Sequence, residues 1–365
     1  MPSRDPATRL VGFLRDPASG GELSPAVTGL AEDLRILSDL GRRLTRTRGD
    51  SIPEGLAVHL SGRGADVSPD AAAEVAYRLA QRRARDLSDQ LAAVCAHLDA
   101  AGITAIPLKG AALLEHGDAD GRTMTDLDVI IRPAARVGDA HAVLVSLGYR
   151  DASAQEYQSV TVLPDQHQLT PLVKDGRAGS IELHRSVLQS EFDPLLPEHL
   201  LLANLADTPS GPRFTPFLSC LHAIIHALIV DNQYRLLVPP LRAALDVQRL
   251  RNQDAQVLDR LREHAARADP EVRRAIAAVL LVVDDLDGSR GLHGARALWW
   301  WWRVRTLSAH PGLRRAFGGG AMASFALRRE RMEARVGHPL GPVRLLWARC
   351  VFLVQRTRQF LSSGR

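Results

Sequence analysis

Lysine is nearly missing from this chain: of 46 lysine and arginine residues, only Lys109 and Lys174 are lysines. Cysteine is scarce as well, with Cys95, Cys220 and Cys350 far apart in apolar stretches of helical character. No two of them have the spacing of a zinc site, and together they do not make the framework of a small disulfide-rich secreted domain. They read as buried, reduced thiols. No window holds the ~18 uninterrupted apolar residues of a membrane-spanning helix. Residues 1–14 scatter charges where a leader peptide would carry an apolar core. These absences lead us to expect a soluble, cytoplasmic protein.

What is present suits a folded chain of several units. The 365 residues are 45% hydrophobic and 24% charged, with a net charge of +5. That composition excludes wholesale disorder and allows a large core in two or three units. The basic balance fits a phosphorylated ligand, an acidic partner or an anionic surface without choosing among them.

Periodicity divides the chain. Residues 1–68 carry short amphipathic stretches broken by Pro and Gly, and are expected to form a helical lead-in. Ser68-Pro69-Asp70 is a helix-start signal. Val75, Leu79, Leu87, Leu91, Val94 and Leu98 then recur at helical spacing until Gly102 ends the helix. Strands are expected at 103–108, 125–131, 159–163, 168–173 and 180–184, with helices at 111–115 and 133–147 between them. From about residue 194 the chain reads as helices, at 217–230, 240–251, 256–268 and 270–286. The expectation is an α+β protein: a small mixed-sheet unit at 69–190 behind the lead-in, a helical domain at 191–290, and an aromatic, arginine-rich helical section at 291–365.

The chemistry concentrates at Thr125-Asp126-Leu127-Asp128-Val129. On a strand, Asp126 and Asp128 share one face while Leu127 and Val129 enter the core. Two carboxylates so placed suit a hard divalent ion such as Mg²⁺. Upstream, Leu108-Lys109-Gly110-Ala111 reads as strand, Gly turn and helix start, an arrangement that receives a phosphate. In a chain that uses arginine almost everywhere, a lysine before that turn points to a compact ammonium used as a phosphate partner. Glu182, flanked by Ile181 and Leu183, is the natural third acid if its strand neighbours that of Asp126 and Asp128.

In this ordered set, Leu108-Lys109-Gly110-Ala111-Ala112-Leu113, Arg122-x-Met124-x-Asp126-Leu127-Asp128 and Ile181-Glu182-Leu183-His184, the chain resembles the polymerase-β-type nucleotidyltransferases. More closely, it looks like a bacterial branch of uncharacterised members. The resemblance implies that Asp126, Asp128 and Glu182 bind two Mg²⁺ ions, for which Mn²⁺ substitutes. It implies that Lys109, Gly110 and Arg122 serve a nucleoside triphosphate, with ATP the expected donor. The usual Gly-Ser or Gly-Gly of the superfamily is Lys109-Gly110-Ala111 here, so Lys109 or Arg122 stands in for a seryl phosphate contact. The resemblance favours attack at the α-phosphorus, with a protein, peptide or small-molecule hydroxyl as acceptor. Kinase-like attack at the γ-phosphorus, and a non-catalytic regulatory or antitoxin-like binding protein, remain the alternatives. No nucleic-acid signature is present.

Other features have plainer readings. His184 is placed to orient Glu182 or touch the acceptor. His222 and His226 lie one helical turn apart, where acceptor contact or packing outweighs metal binding in the absence of a third ligand. Asp284-Asp285-x-Asp287 reads as a helix end. Trp299 to Trp302 read as packed against neighbouring helices, with peripheral membrane contact as the lesser alternative.

Overall fold

The computed structural model describes residues 69–115, 119–120, 122–153, 167–208, 211–289 and 293–308, together with Arg42. The helical lead-in, the strand expected at 159–163 and the apolar stretch at 343–361 lie outside those residues, Arg42 apart.

Helix α1 (Pro69–Ala100) buries Leu87, Leu91, Val94 and Leu98, a stripe at intervals of three and four residues. It lies against strand β1 (Thr104–Pro107) and helix α2 (Lys109–Glu115). Strand β2 (Asp126–Arg132) follows, and a short turn of 3₁₀ helix leads into α3 (Val137–Ser146). Strands β3 (Arg150–Asp151), β4 (Leu172–Val173) and β5 (Ser180–His184) complete a mixed sheet in the order β1-β2-β5-β4-β3.

Most neighbours in this sheet are antiparallel. Strands β2 and β5 are parallel, with Asp126 opposite Ser180, Asp128 opposite Glu182 and Ile130 opposite His184. The interior residues of β2 and Ile181 to His184 of β5 are all buried, so both faces of the centre are covered. This explains why Val129-Ile130-Ile131 is an unbroken apolar run rather than an alternating one.

The entry to β5 is tightly fitted. Gly179 has φ +72°, and a Cβ there would stand 2.6 Å from the Thr125 carbonyl oxygen. Glycine therefore lets β5 start beside Thr125, where the Ser180 amide donates to the same carbonyl at 3.1 Å. Helix α1 braces this entry, since Asp86 accepts from the Ala178 amide at 2.6 Å and Gln90 donates to the Ala178 carbonyl at 2.9 Å.

Beyond the sheet come α4 (Glu198–Ala203) and a hairpin of β6 (Leu205–Thr208) and β7 (Gly211–Phe214). Sequence periodicity gave no sign of this hairpin. Its strands are short, lack alternation and include Pro212, and the fold supplies their support through contact of β7 with β1. Thr215 then caps α5 (Pro216–Ile225), with Pro216 at its first position. The helical part continues through α6 (Gln233–Leu236), α7 (Leu241–Arg251), α8 (Val257–Arg267), α9 (Pro270–Asp287) and α10 (Ala295–Ser308). The fold is α+β, as the sequence leads one to expect.

Helix α5 is central to that layer. It packs on α7, α8 and α9 and also touches α2, which seats the helices on the sheet unit. Arg122, in the loop before β2, gives its Nε to Asp246 Oδ1 on α7 at 2.9 Å and its Nη2 to Oδ2 at 3.1 Å, both side chains buried. Arg242 donates to the Thr123 carbonyl at 3.0 Å. The acidic cluster at 284–287 ends α9, where Asp287 pairs with Arg251 and Gln248 and Gly288 takes the left-handed cap.

Candidate active site

The parallel register of β2 and β5 brings Asp128 and Glu182 side by side from distant parts of the chain. His184, two residues on from Glu182, shares its face. One ligand atom from each of Asp128, Glu182 and His184 lies within 4.8 Å of the others, and all three residues are buried. His184 Nε2 is 3.0 Å from Asp128 Oδ1 and 3.8 Å from Glu182 Oε2. An ionised carboxylate only accepts, so Nε2 carries the proton toward Asp128 and Nδ1 is left as a buried nitrogen with no hydrogen-bond partner. Asp126 occupies the same strand face one pleat away, half-buried, and is outside this tight group.

Lys109 completes the cluster. Its Nζ donates to Asp128 Oδ1 at 2.7 Å. Its backbone holds φ +48°, a left-handed conformation that a non-glycine residue seldom adopts and that costs of order 1–3 kcal/mol. The strained position is therefore Lys109 and not Gly110, and α2 begins one residue before the expected turn. Burial draws the ammonium's pKa down, but the Asp128 carboxylate, aided by Glu182 and Asp126, overrides it and holds the pKa above its ordinary value. For Asp128, burial pushes upward, and the Lys109 charge with the His184 hydrogen bond brings the carboxyl well below the usual range. The resting pair is an ammonium and a carboxylate.

Gly110 has a different neighbour from the one expected. A Cβ there would collide with the Arg122 guanidinium and stand 2.7 Å from Met124 Sδ. The missing side chain makes room for Arg122, whose fork is engaged by Asp246, so this turn is shaped by the loop that returns over it. Burial would raise the Asp246 pKa, yet Arg122 and then Arg249 keep it lowered.

Lys109, Gly110, Arg122, Asp126, Asp128 and Asp246 border a cavity of about 460 Å³ that also reaches His226, Asp231 and Arg242. His226 begins a π-helical turn (His226–Val230) that continues α5, and its Nδ1 is 3.3 Å from Asp231 Oδ2. Such turns widen a helix and re-aim its side chains. His222, one turn back, stacks edge-on to His226 at 5.9 Å between ring centroids. Its ring is buried, Nε2 has no partner, and burial drives its pKa well below the ordinary value. Among the described residues they belong to no group of three or more potential metal ligands within reach of one another. His167 also joins the site's edge, 5.3 Å from His184 by ring centroids, and burial, then His184 and Lys109, lower its pKa to about 4.

The donor set fits a divalent cation. Two carboxylates within reach of one point offer oxygen ligands, Asp126 extends the oxygen face, and His184, its Nε2 proton turned to Asp128, orients that carboxylate. The family model described as an uncharacterised nucleotidyltransferase matches residues 38–286, well over half the chain. The chain belongs to that family. That makes it a transferase; the family suggests a nucleoside triphosphate as substrate, and nucleotidyltransferases in general usually use divalent metals. No curated protein and no solved structure matches this nucleotidyltransferase.

The sequence motif supplied Lys109, Asp126, Asp128, Glu182 and His184, and the fold brings all but Asp126 into one tight group. Asp231 was missed, because nothing marks it until the π turn sets it beside His226. Asp246 lies in the helix expected at 240–251, and its link to Arg122 needed the fold.

A second cavity, of about 620 Å³, lies beyond α6 and is lined by Tyr234, Arg235, Trp299, Trp300 and Arg303 among others. Helical spacing splits the tryptophan run: Trp300 and Trp301 are buried, Trp299 and Trp302 exposed. Trp300 stacks on Tyr234 and donates to its carbonyl at 2.8 Å. No described helix is long and apolar enough to cross a membrane.

Proposed function

We propose that this nucleotidyltransferase moves a nucleotidyl group, AMP from ATP, to an acceptor hydroxyl with the help of Mg²⁺. The observation that carries the proposal is the Asp128–Glu182 register, which joins the acids of two distant motifs beside Lys109. Asp126, Asp128 and Glu182 would hold the metal, with His184 fixing the Asp128 carboxylate. Bound there, a divalent ion would neutralise phosphate charge and favour ionisation of the acceptor hydroxyl. Lys109, able to reach from Asp128 towards the cavity, would take a phosphate oxygen. Arg122, clamped by Asp246, holds the loop that walls the phosphate side. His226, oriented through Nδ1 by Asp231, is placed to receive the acceptor's proton. The acceptor oxygen forms its bond to the α-phosphorus, the bond from that phosphorus to the bridging oxygen breaks, and pyrophosphate leaves with the electron pair.

Thermal unfolding in Mg²⁺–ATP tests this without knowledge of the acceptor. Ligand at about 100 times its dissociation constant should stabilise wild type by roughly 2.7 kcal/mol, and Asp126→Asn/Asp128→Asn should lose that gain. No gain with any common nucleotide would turn the reading towards a binding protein. Label from the γ-phosphate rather than the α-phosphate appearing in product would make it a kinase.

A further inference from the structure

Asp128 and Glu182 are 3% and 5% exposed, so their negative charges need a counter-charge whether or not a metal is bound. Lys109 provides it: its Nζ sits 2.7 Å from Asp128 Oδ1, the oxygen that also receives His184 Nε2. Metal–oxygen distances for hard divalent ions are about 2.0–2.6 Å. An ion bonded to that oxygen would displace the ammonium's hydrogen bond, so the two cations compete for it.

We propose that the Lys109 ammonium is the resident cation of the acidic site, which a divalent ion displaces only when a nucleotide phosphate receives the departing lysine. This rests on reading Asp128 and Glu182 as metal ligands. Three observations support the exchange. Lys109 holds a strained φ of +48° at the start of α2 while its Nζ rests on Asp128 Oδ1. Lysine is kept here in a chain that otherwise uses arginine, and a slim ammonium on a flexible stem can withdraw where a planar fork could not. The other lysine, Lys174, donates to the Leu147 carbonyl at 2.7 Å and serves a loop. Free metal would thus bind weakly, and metal with nucleotide would bind strongly.

The test is Mn²⁺ titration of the full chain, followed by electron paramagnetic resonance, with and without ATP. Wild type should gain at least tenfold in Mn²⁺ affinity when ATP is added. Lys109→Met should bind Mn²⁺ without ATP at least tenfold more tightly than wild type, and gain less than threefold from ATP. Should that variant be insoluble, Lys109→Gln is read in the same titration. Equal Mn²⁺ affinity of wild type and variant without ATP would overturn the proposal. So would wild type binding Mn²⁺ equally well with and without ATP. Asp128→Asn separates the two levels: if it leaves Mn²⁺ binding intact, the ion is not at this site, and the metal-ligand reading fails together with the exchange.

Discussion

Two residues show how little of this site is free to vary. Gly110 lies against the Arg122 guanidinium and Met124 Sδ, so Gly110→Ala must push that loop aside. We expect a loss of about 1–3 kcal/mol, the ordinary cost of overpacking, measured by urea unfolding. Asp246→Asn removes the charge that Arg122 and Arg249 share in a buried setting, and should cost about 3–5 kcal/mol. His167 contributes to the pH dependence, as do His222 and His264, whose pKa values burial also lowers. The folded pKa of His167, about 4, lies below the ordinary 6.5, so it resists protonation in the folded state. On acidification from about pH 6.5 the unfolded chain takes up a proton that the folded one refuses, and stability falls until about pH 4. His167→Gln should flatten that part of a stability–pH curve, and an unchanged slope would place the titration elsewhere.

At the scale of elements, legibility followed the kind of force involved. Helix α1 was plain in the sequence because its apolar stripe satisfies the helical period without help, and Leu91→Ala should cost about 2–5 kcal/mol in thermal unfolding. Strands β2 and β5 were legible as apolar runs enclosing acids, and the family resemblance hinted at their pairing. Their register was not, since no local rule relates residues so far apart. The β6–β7 hairpin was invisible because its stability is borrowed from β1 and from the Asn204–Thr215 contact at the start of α5. The π turn at His226 was equally hidden, for it is a single-turn irregularity in an apolar helix. Asp231 went unrecognised with it. The lysine before Gly110 was found by composition, and its left-handed backbone was not, because lysine has no intrinsic preference for that conformation.

For the whole molecule, the helical layer is part of the site, since α5 and α7 furnish His226, Asp246 and Arg242 around a cavity floored by the sheet. The last described helix tests how far that integration extends. Trp300→Ala removes a ring stacked on Tyr234 and should cost about 3–5 kcal/mol, whereas Trp299→Ala or Trp302→Ala should stay within about 0.5 kcal/mol. Similar losses at all three positions would mean that the exposed rings are held by something the helix itself does not show.

The parallel pairing of β2 with β5 has a temporal meaning too. Side chains alternate along a strand, so a slip by one residue would turn Glu182 and His184 away from Asp128 and bury them in the core. Contacts between distant segments form late, after the loop between them has closed. A newly made chain therefore lacks the paired acids while its helices assemble. They meet only when β5 locks home beside β2, so this buried charge cluster is among the last features of the sheet unit to form.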